Sequence, residues 1–334
     1  MVARTQPRWQ TLDWKRDLAL AFTRPAELLA YLGLDPALAV GGGEAAHGFP
    51  LLVPRGFADL MEPGNAADPL LRQVLPLPDE DTERPGYTRD PVGDRNAVLA
   101  PGLLQKYPHR ALLITTGACA VHCRYCFRRH FPYREETSRA NRTAALSALA
   151  LRPDIDEVIL SGGDPLMLDD AALGRLLDRI EDIAHVTRLR LHTRLPVVLP
   201  SRITPALCER LAGSRLKTVV VIHANHPAEL GAAAAAALDA LGARRLLLLN
   251  QAVLLRGVND DPDVLAALSE RLFALGVRPY YLHMLDRVAG AAHFDVAEER
   301  ARRLMNHLRA RLSGYLMPRL AREVPGADSK VTLA

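Results

Sequence analysis

The chain has 334 residues, of which 42 are basic and 38 acidic, giving a net charge of +4, and 49% are hydrophobic. That is an ordinary globular composition, with room for one large domain and additions. So small and scattered a charge excess argues against a nucleic-acid surface, and no run approaches the eighteen apolar residues of a membrane span. Residues 1–10 lack the apolar core and cleavage site of a signal peptide. Cysteines without a paired framework point to a reducing cytoplasm.

Up to about residue 100 the pattern predicts a helical, loop-rich extension. Residues 13–21 and 25–34 carry apolar side chains at helical spacing, the second stretch with Pro25 in its first turn. The glycines at 41–43 read as a turn, residues 50–57 and 68–74 as short ordered pieces, and 80–101 as loop. A regular alternation then begins. Apolar runs of strand length recur at 111–116, 157–161, 188–192, 218–223, 246–255 and 279–285. Helical stretches separate them at 143–151, 171–184, 204–212, 227–241 and 263–275. Six strand–helix units predict an α/β fold with a parallel sheet, closed or partly closed like a barrel, and chemistry at the carboxyl ends of its strands. Past residue 295 an arginine-rich helix is expected to about 313, then an irregular tail to 334. The chain thus divides into an extension (1–100), a core (101–290) and a C-terminal helix and tail (291–334).

Three of the four cysteines, Cys119, Cys123 and Cys126, fall within eight residues as C-x3-C-x2-C. A tight loop can aim three thiolates at one inorganic cluster, and sulfur suits iron–sulfur chemistry. A [4Fe–4S] cube so held keeps one iron free for a small molecule. A structural zinc site would want a fourth ligand, for which only His122 and His130 lie near, and cysteines this close seldom bridge without strain. Cys208 falls on a predicted helix and reads as core. After the second strand, Ser161-Gly162-Gly163-Asp164-Pro165 ends the run abruptly. Two glycines let backbone approach a ligand, and Asp164 can accept hydrogen bonds from an ammonium group.

With Tyr125 before its last cysteine, the loop resembles the signature of the radical S-adenosylmethionine (SAM) enzymes. The resemblance implies a partial (β/α)6 TIM-like barrel. It also implies SAM bound near Tyr125 and the strand end of Ser161, Gly162, Gly163 and Asp164. One electron from the cluster then cleaves SAM to a deoxyadenosyl radical. Residues 110–115, 126–129, 161–166, 196–204 and 250–260 further resemble the lysine 2,3-aminomutases. Residues 126–133, 279–283 and 290–294 look most like the branch that forms (R)-β-lysine for translation elongation factor P.

That family implies an isomerase converting L-lysine to β-lysine with pyridoxal phosphate (PLP) as a further cofactor, held through a C-terminal lysine. Only four lysines occur, and Lys330 matches the expected position. By the same resemblance Lys106 and Arg110 hold the PLP phosphate, Arg128 takes the substrate carboxylate, and Asp260 and Glu323 take its distal ammonium. The family often has arginine at the first of these positions and aspartate at the last, and Thr-Pro where this chain has Val331-Thr332. His192, His223 and His226 lie near strand ends, where pocket lining and core packing are equally expected. The expected partners are L-lysine and a ligase acting on elongation factor P, with a homo-oligomer an open alternative to a monomer. Rival readings are an aminomutase for another amino acid and a non-catalytic iron–sulfur protein.

Overall fold

The computed structural model describes residues 14–39 and 48–333. The first residues, the turn expected at 41–43 and the last residue of the tail lie outside them. Ten strands form one sheet in sequence order. Strands β1 (Val98–Ala100) and β2 (Leu103–Tyr107) are antiparallel and lead into β3 (Arg110–Thr116). Six further strands follow in parallel: β4 (Glu157–Gly162), β5 (Arg188–Thr193), β6 (Lys217–Ile222), β7 (Leu247–Val253), β8 (Arg278–His283) and β9 (Arg319–Arg322). A short β10 (Val331–Thr332) turns back against β9.

The six expected strands are all present, for the reason their sequences suggest. Strands covered by helices are apolar with little alternation, as Val158, Ile159 and Leu160 are in β4. The crossover helices start where a side chain can accept their orphan N–H groups. Ser138 caps α3 (Arg139–Ala150), Asp169 caps α4 (Asp170–Glu181), and Thr204 caps α5 (Pro205–Ala212). Helix α6 (Ala232–Gly242) contains the alanine run, and Asp261 caps α7 (Pro262–Ala274). In the extension, α1 (Trp14–Ala19) and α2 (Pro25–Tyr31) are shorter than their patterns suggest.

Two stretches differ from expectation. Part of the supposed loop before residue 101 is β1, which hydrogen-bonds to β2. The tail after α8 (Glu298–Arg311) is not irregular: β9 adds a seventh parallel strand, with Leu282 opposite Leu320 and His283 opposite Ala321. A four-residue strand flanked by arginines, Arg319-Leu320-Ala321-Arg322, has too few apolar positions for a recognisable period. The sheet does not close by a backbone ladder. Its two ends meet instead through side chains, because the Tyr107 hydroxyl at the end of β2 donates to Glu323, just past β9, at 2.6 Å.

The core is continuous from extension to barrel, joining Phe22, Leu28, Phe57 and Leu70 to Leu113, Leu160, Leu191 and Val220. A buried ion network adds direction to this contact. Glu80 of the extension accepts from Arg124 at 2.8 and 2.5 Å and from Arg129 at 2.7 Å, all three nearly without exposure. Arg124 also reaches the Phe49 carbonyl at 2.6 Å. Removing one partner of such a group leaves uncompensated buried charge, a cost of about 3–5 kcal/mol. Glu80→Ala should therefore lower the urea midpoint by that equivalent. A loss below about 1 kcal/mol would mean that backbone carbonyls suffice for both guanidiniums.

Candidate active site

The loop after β3 carries the three cysteines and is held from below by the extension. The His122 N–H donates to Leu52 O at 3.0 Å, and the Arg124 N–H to Gln73 O at 2.8 Å. All three thiols are free and half-buried. Burial pushes the Cys119 thiol well up, and the nearby Cys126, Asp164 and Cys123 charges add to it. Cys126 is pushed up to about 11 by burial, with Cys123 adding. The sulfurs are thus near enough to oppose one another's ionisation, an arrangement that a cationic inorganic group among them would relieve. The neighbouring histidines face elsewhere. His122 Nδ1 is 2.7 Å from Pro50 O with its ring stacked on Phe49, and His130 Nε2 is 3.2 Å from Ala289 O. Among the described residues no three His, Cys, Asp or Glu side chains close on a single metal ion. Three neighbouring thiols on one loop, without an imidazole, are a donor set whose chemistry fits an iron–sulfur cluster.

The end of β4 is laced to this loop. The Gly163 N–H donates to Thr116 O at 2.7 Å and the Asp164 N–H to Ala118 O at 2.8 Å. The Tyr133 hydroxyl donates to Gly162 O at 2.7 Å, and the Thr115 hydroxyl to Ser161 O at 3.0 Å. The two glycines therefore have a reason different from ligand approach. A Cβ on Gly163 would stand 2.2 Å from Ala118 O; one on Gly162, at φ +122°, would stand 2.6 Å from Thr116 O. Asp164 is also occupied within the protein. It accepts from the Leu166 N–H at 3.0 Å, the Arg194 N–H at 2.7 Å and the Thr193 hydroxyl at 2.8 and 3.0 Å. Burial still pushes its carboxyl up to about 6. Its charge reaches Cys119, so this strand end borders the thiols. Tyr125 adjoins the same ground, its hydroxyl accepting from Asn225 Nδ2 at 2.7 Å.

A second cluster gathers where the sheet ends meet. Asp94 holds two expected ligand-binding cations at once, Arg128 through Nε at 2.7 Å and Lys106 through Nζ at 2.7 Å. Burial alone would raise the Asp94 carboxyl, but these cations hold it below the usual range. Arg128 also donates to Ser161 Oγ at 3.1 Å, which links this cluster to the β4 end. Lys330 lies on Glu323 at 2.6 Å, with Lys106 Nζ 3.7 Å from the other carboxylate oxygen. The hairpin β9–β10 accounts for this, since Glu323 directly follows one strand and Lys330 directly precedes the other. The Lys330 ammonium is 5.9 Å from the Tyr281 ring centre. Arg110 lies over the Tyr107 ring at 5.0 Å. Arg110 Nε and His192 Nε2 are buried without a hydrogen-bond partner. Orphaned buried donors beside three cationic side chains, with an aromatic ring next to the lysine, fit a phosphorylated pyridine cofactor.

The remaining expectations divide. Gln251 Nε2 lies 3.0 Å from His223 Nε2 and 3.4 Å from His192 Nδ1, so two of the three histidines share the inner wall. Burial holds both imidazoles neutral, with the His192 pKa well down and that of His223 lowered to about 3. His226 instead accepts the Ala228 N–H at 3.2 Å and caps a short turn. Asp260 and Glu323, expected to share one ligand, have separate partners. Asp260 accepts the Gly257 N–H at 2.7 Å and pairs with Arg300 at 3.1 Å.

Sequence reasoning missed Asp94, Tyr107, Arg194 and Asp286. The last could have been suspected, because it follows the carboxyl end of β8. Burial pushes its carboxyl up to about 7, against the pull of Lys330 and with Glu323 opposing ionisation.

Two outcomes are expected. Gly163→Ala should cost most of the iron bound on reconstitution, measured as iron and sulfide per chain, since the added Cβ displaces the cysteine loop. An acid with a raised folded pKa penalises folding once ionised. The penalty begins above the unfolded value near 3.8 and is complete above about 7. Asp286→Asn should therefore raise the melting temperature of the protein without cofactors at pH 8 and leave it unchanged near pH 4. An equal change at both pH values would remove Asp286 as the titrating group.

Residues 113–268 match the radical SAM superfamily. The chain is 50% identical to an L-lysine 2,3-aminomutase of Escherichia coli over 96% of its own length and 94% of the relative's. It is 45% identical to that of Haemophilus influenzae over 100% and 97%, and 31% identical to that of Clostridium subterminale over 95% and 77%. A radical SAM methyltransferase from Sphaerobacter thermophilus shares the fold, with a TM-score of 0.50 and 19% identity over 66% of this chain and 68% of that one. Strands β3–β8 with their cysteine loop, the glycine-lined end of β4 and the full-length likeness lead to one conclusion: the chain belongs to the lysine 2,3-aminomutase family of radical SAM isomerases.

Proposed function

We propose that this enzyme moves the 2-amino group of L-lysine to C3, giving β-lysine of R configuration. In this reading Cys119, Cys123 and Cys126 hold a [4Fe–4S] cluster, and Tyr125 with the Ser161–Asp164 strand end borders SAM. Lys330 carries PLP, and Lys106 and Arg110 receive its phosphate. When bound, these groups supply the radical that removes and returns a hydrogen and the carrier on which the amine migrates. The observation that carries the reading is the Lys330–Glu323 pair at 2.6 Å, which puts a lysine ammonium on a buried-side carboxylate within the cationic pocket.

The protein's own part is orientation. Asp94 aims the Arg128 fork, which suits a substrate carboxylate bidentately. Lys330 would hold the cofactor, and Glu323, now paired with it at 2.6 Å, is the carboxylate that would take the distal ammonium of the substrate. Asp286, facing Lys330 and Glu323, adds to the acidic end, and Asp260 acts through its own loop. Neutral His192 and His223 line the wall without repelling a cation. The extension to about residue 100 braces the cluster loop, residues 101–290 form the core, and 291–334 deliver Lys330.

Among the described residues no helix is long and apolar enough to cross a membrane. We place the enzyme in the reducing cytoplasm, where three free thiols persist, and its product with a ligase acting on elongation factor P. The likeness of residues 126–133, 279–283 and 290–294 to that branch supports the assignment.

Anaerobic enzyme loaded with iron–sulfur cluster, PLP, SAM and a reductant should convert L-lysine to β-lysine. Lys330→Ala and Cys126→Ala should abolish the product. Glu323→Gln should lower kcat/KM about 10- to 100-fold, the range for losing a charged hydrogen bond. A chromatogram without β-lysine from fully loaded wild-type enzyme would sink the substrate assignment.

A further inference from the structure

Arg194 directly follows β5 and is 6% exposed, yet no expectation of ligand binding attaches to it. Its Nη1 donates to the Sγ of Cys123 at 2.7 Å. Nη2 donates to Gln73 Oε1 at 2.8 Å and to Glu229 Oε2 at 2.9 Å. Its main-chain N–H is fixed by Asp164 at 2.7 Å, and the guanidinium lies over Phe57 and Tyr125 at 5.6 and 5.7 Å. Glu229 is fully buried, and its other oxygen accepts from Gln73 Nε2 and from the N–H groups of Asn225 and His226 at 2.9–3.0 Å. The guanidinium is therefore locked on one of three otherwise similar sulfurs, and its counter-charge is held on the far side.

We propose that Arg194 is a positioning residue that sets the reduction potential of the cluster through its N–H···S bond to Cys123. The inference rests on the three cysteines carrying that cluster. A reduced cluster bears one more negative charge than the oxidised one. A hydrogen-bond donor and a positive charge at a ligand sulfur therefore favour reduction and raise the potential, most strongly where water is excluded. Glu229 works against this by compensating the guanidinium. The pair sets a potential between that of an uncharged wall and that of an unopposed cation. The carboxylate also keeps the fork from rotating away from the sulfur.

The test is a redox titration of the reconstituted cluster followed by electron paramagnetic resonance, without substrate. Arg194→Gln should shift the midpoint negative by about 59 mV, a tenfold fall in the reduced-to-oxidised ratio at fixed potential for a one-electron couple. Glu229→Gln should shift it positive, because the guanidinium then acts uncompensated. Opposite shifts with wild-type iron content support the inference, since a merely structural loss would change occupancy and leave the midpoint unmoved. Unchanged midpoints, or shifts of the same sign, overturn it. If Arg194→Gln binds no cluster, Glu229→Gln decides alone: a positive shift supports the inference and any other result overturns it. A wild-type protein that assembles no cluster would overturn the cofactor reading itself and this inference with it.

Discussion

The lacing of the cysteine loop onto the end of β4 is the constraint from which the rest of the site follows. Two backbone hydrogen bonds, from Gly163 to Thr116 and from Asp164 to Ala118, bring two strand ends into direct contact. No side chain fits between them, so glycine is the only residue that lets the chains pass at this distance. What looks in one dimension like a ligand-binding turn is first a joint between two loops. Asp164 extends that joint to β5 through Thr193 and Arg194, so three consecutive strand ends are tied through one residue, by its backbone N–H on one side and its carboxylate on the other. The cysteines inherit their positions from this joint and from the extension beneath it.

A second constraint is that the barrel is left open and then shut by chemistry. Here the seam is made by Tyr107, Lys106 and Glu323, with Lys330 presented across the β9–β10 turn. Three of the groups that complete the fold at this edge, Lys106, Glu323 and Lys330, are ones expected to handle cofactor and substrate. Stability and ligand binding are therefore coupled there, because each ion pair is available to be exchanged for a ligand contact.

Charge in the interior is arranged in small sets, each built on one carboxylate. Glu80 serves Arg124 and Arg129, Asp94 serves Arg128 and Lys106, and Glu229 serves Arg194. Burial makes each set costly to break, since removing one member strands the others away from water. The imidazoles of His192 and His223 stay neutral, so they set no charge against Arg128 or Arg194.

The amino-acid sequence by itself determined the class of fold and the chemistry of the loop. Six apolar runs at strand length became β3–β8, and three crowded cysteines stayed together on the loop after β3, because both depend on short-range pattern. The single lysine of the tail was also legible, through its scarcity and its motif. Only the tertiary structure decided which acids face which cations. Asp94 and Arg194 are separated along the chain from the groups they touch, as Asp286 is from Lys330 and Glu323, whose charges reach it, and no local period marks them. Glu323 stands beside Lys330 because β9 and β10 form a hairpin, and β9 is too short to announce itself; Asp260 meets Arg300 because α8 packs near the loop after β7. Periodicity reports which side of an element is buried, whereas the pairing of charges depends on how distant elements are folded together.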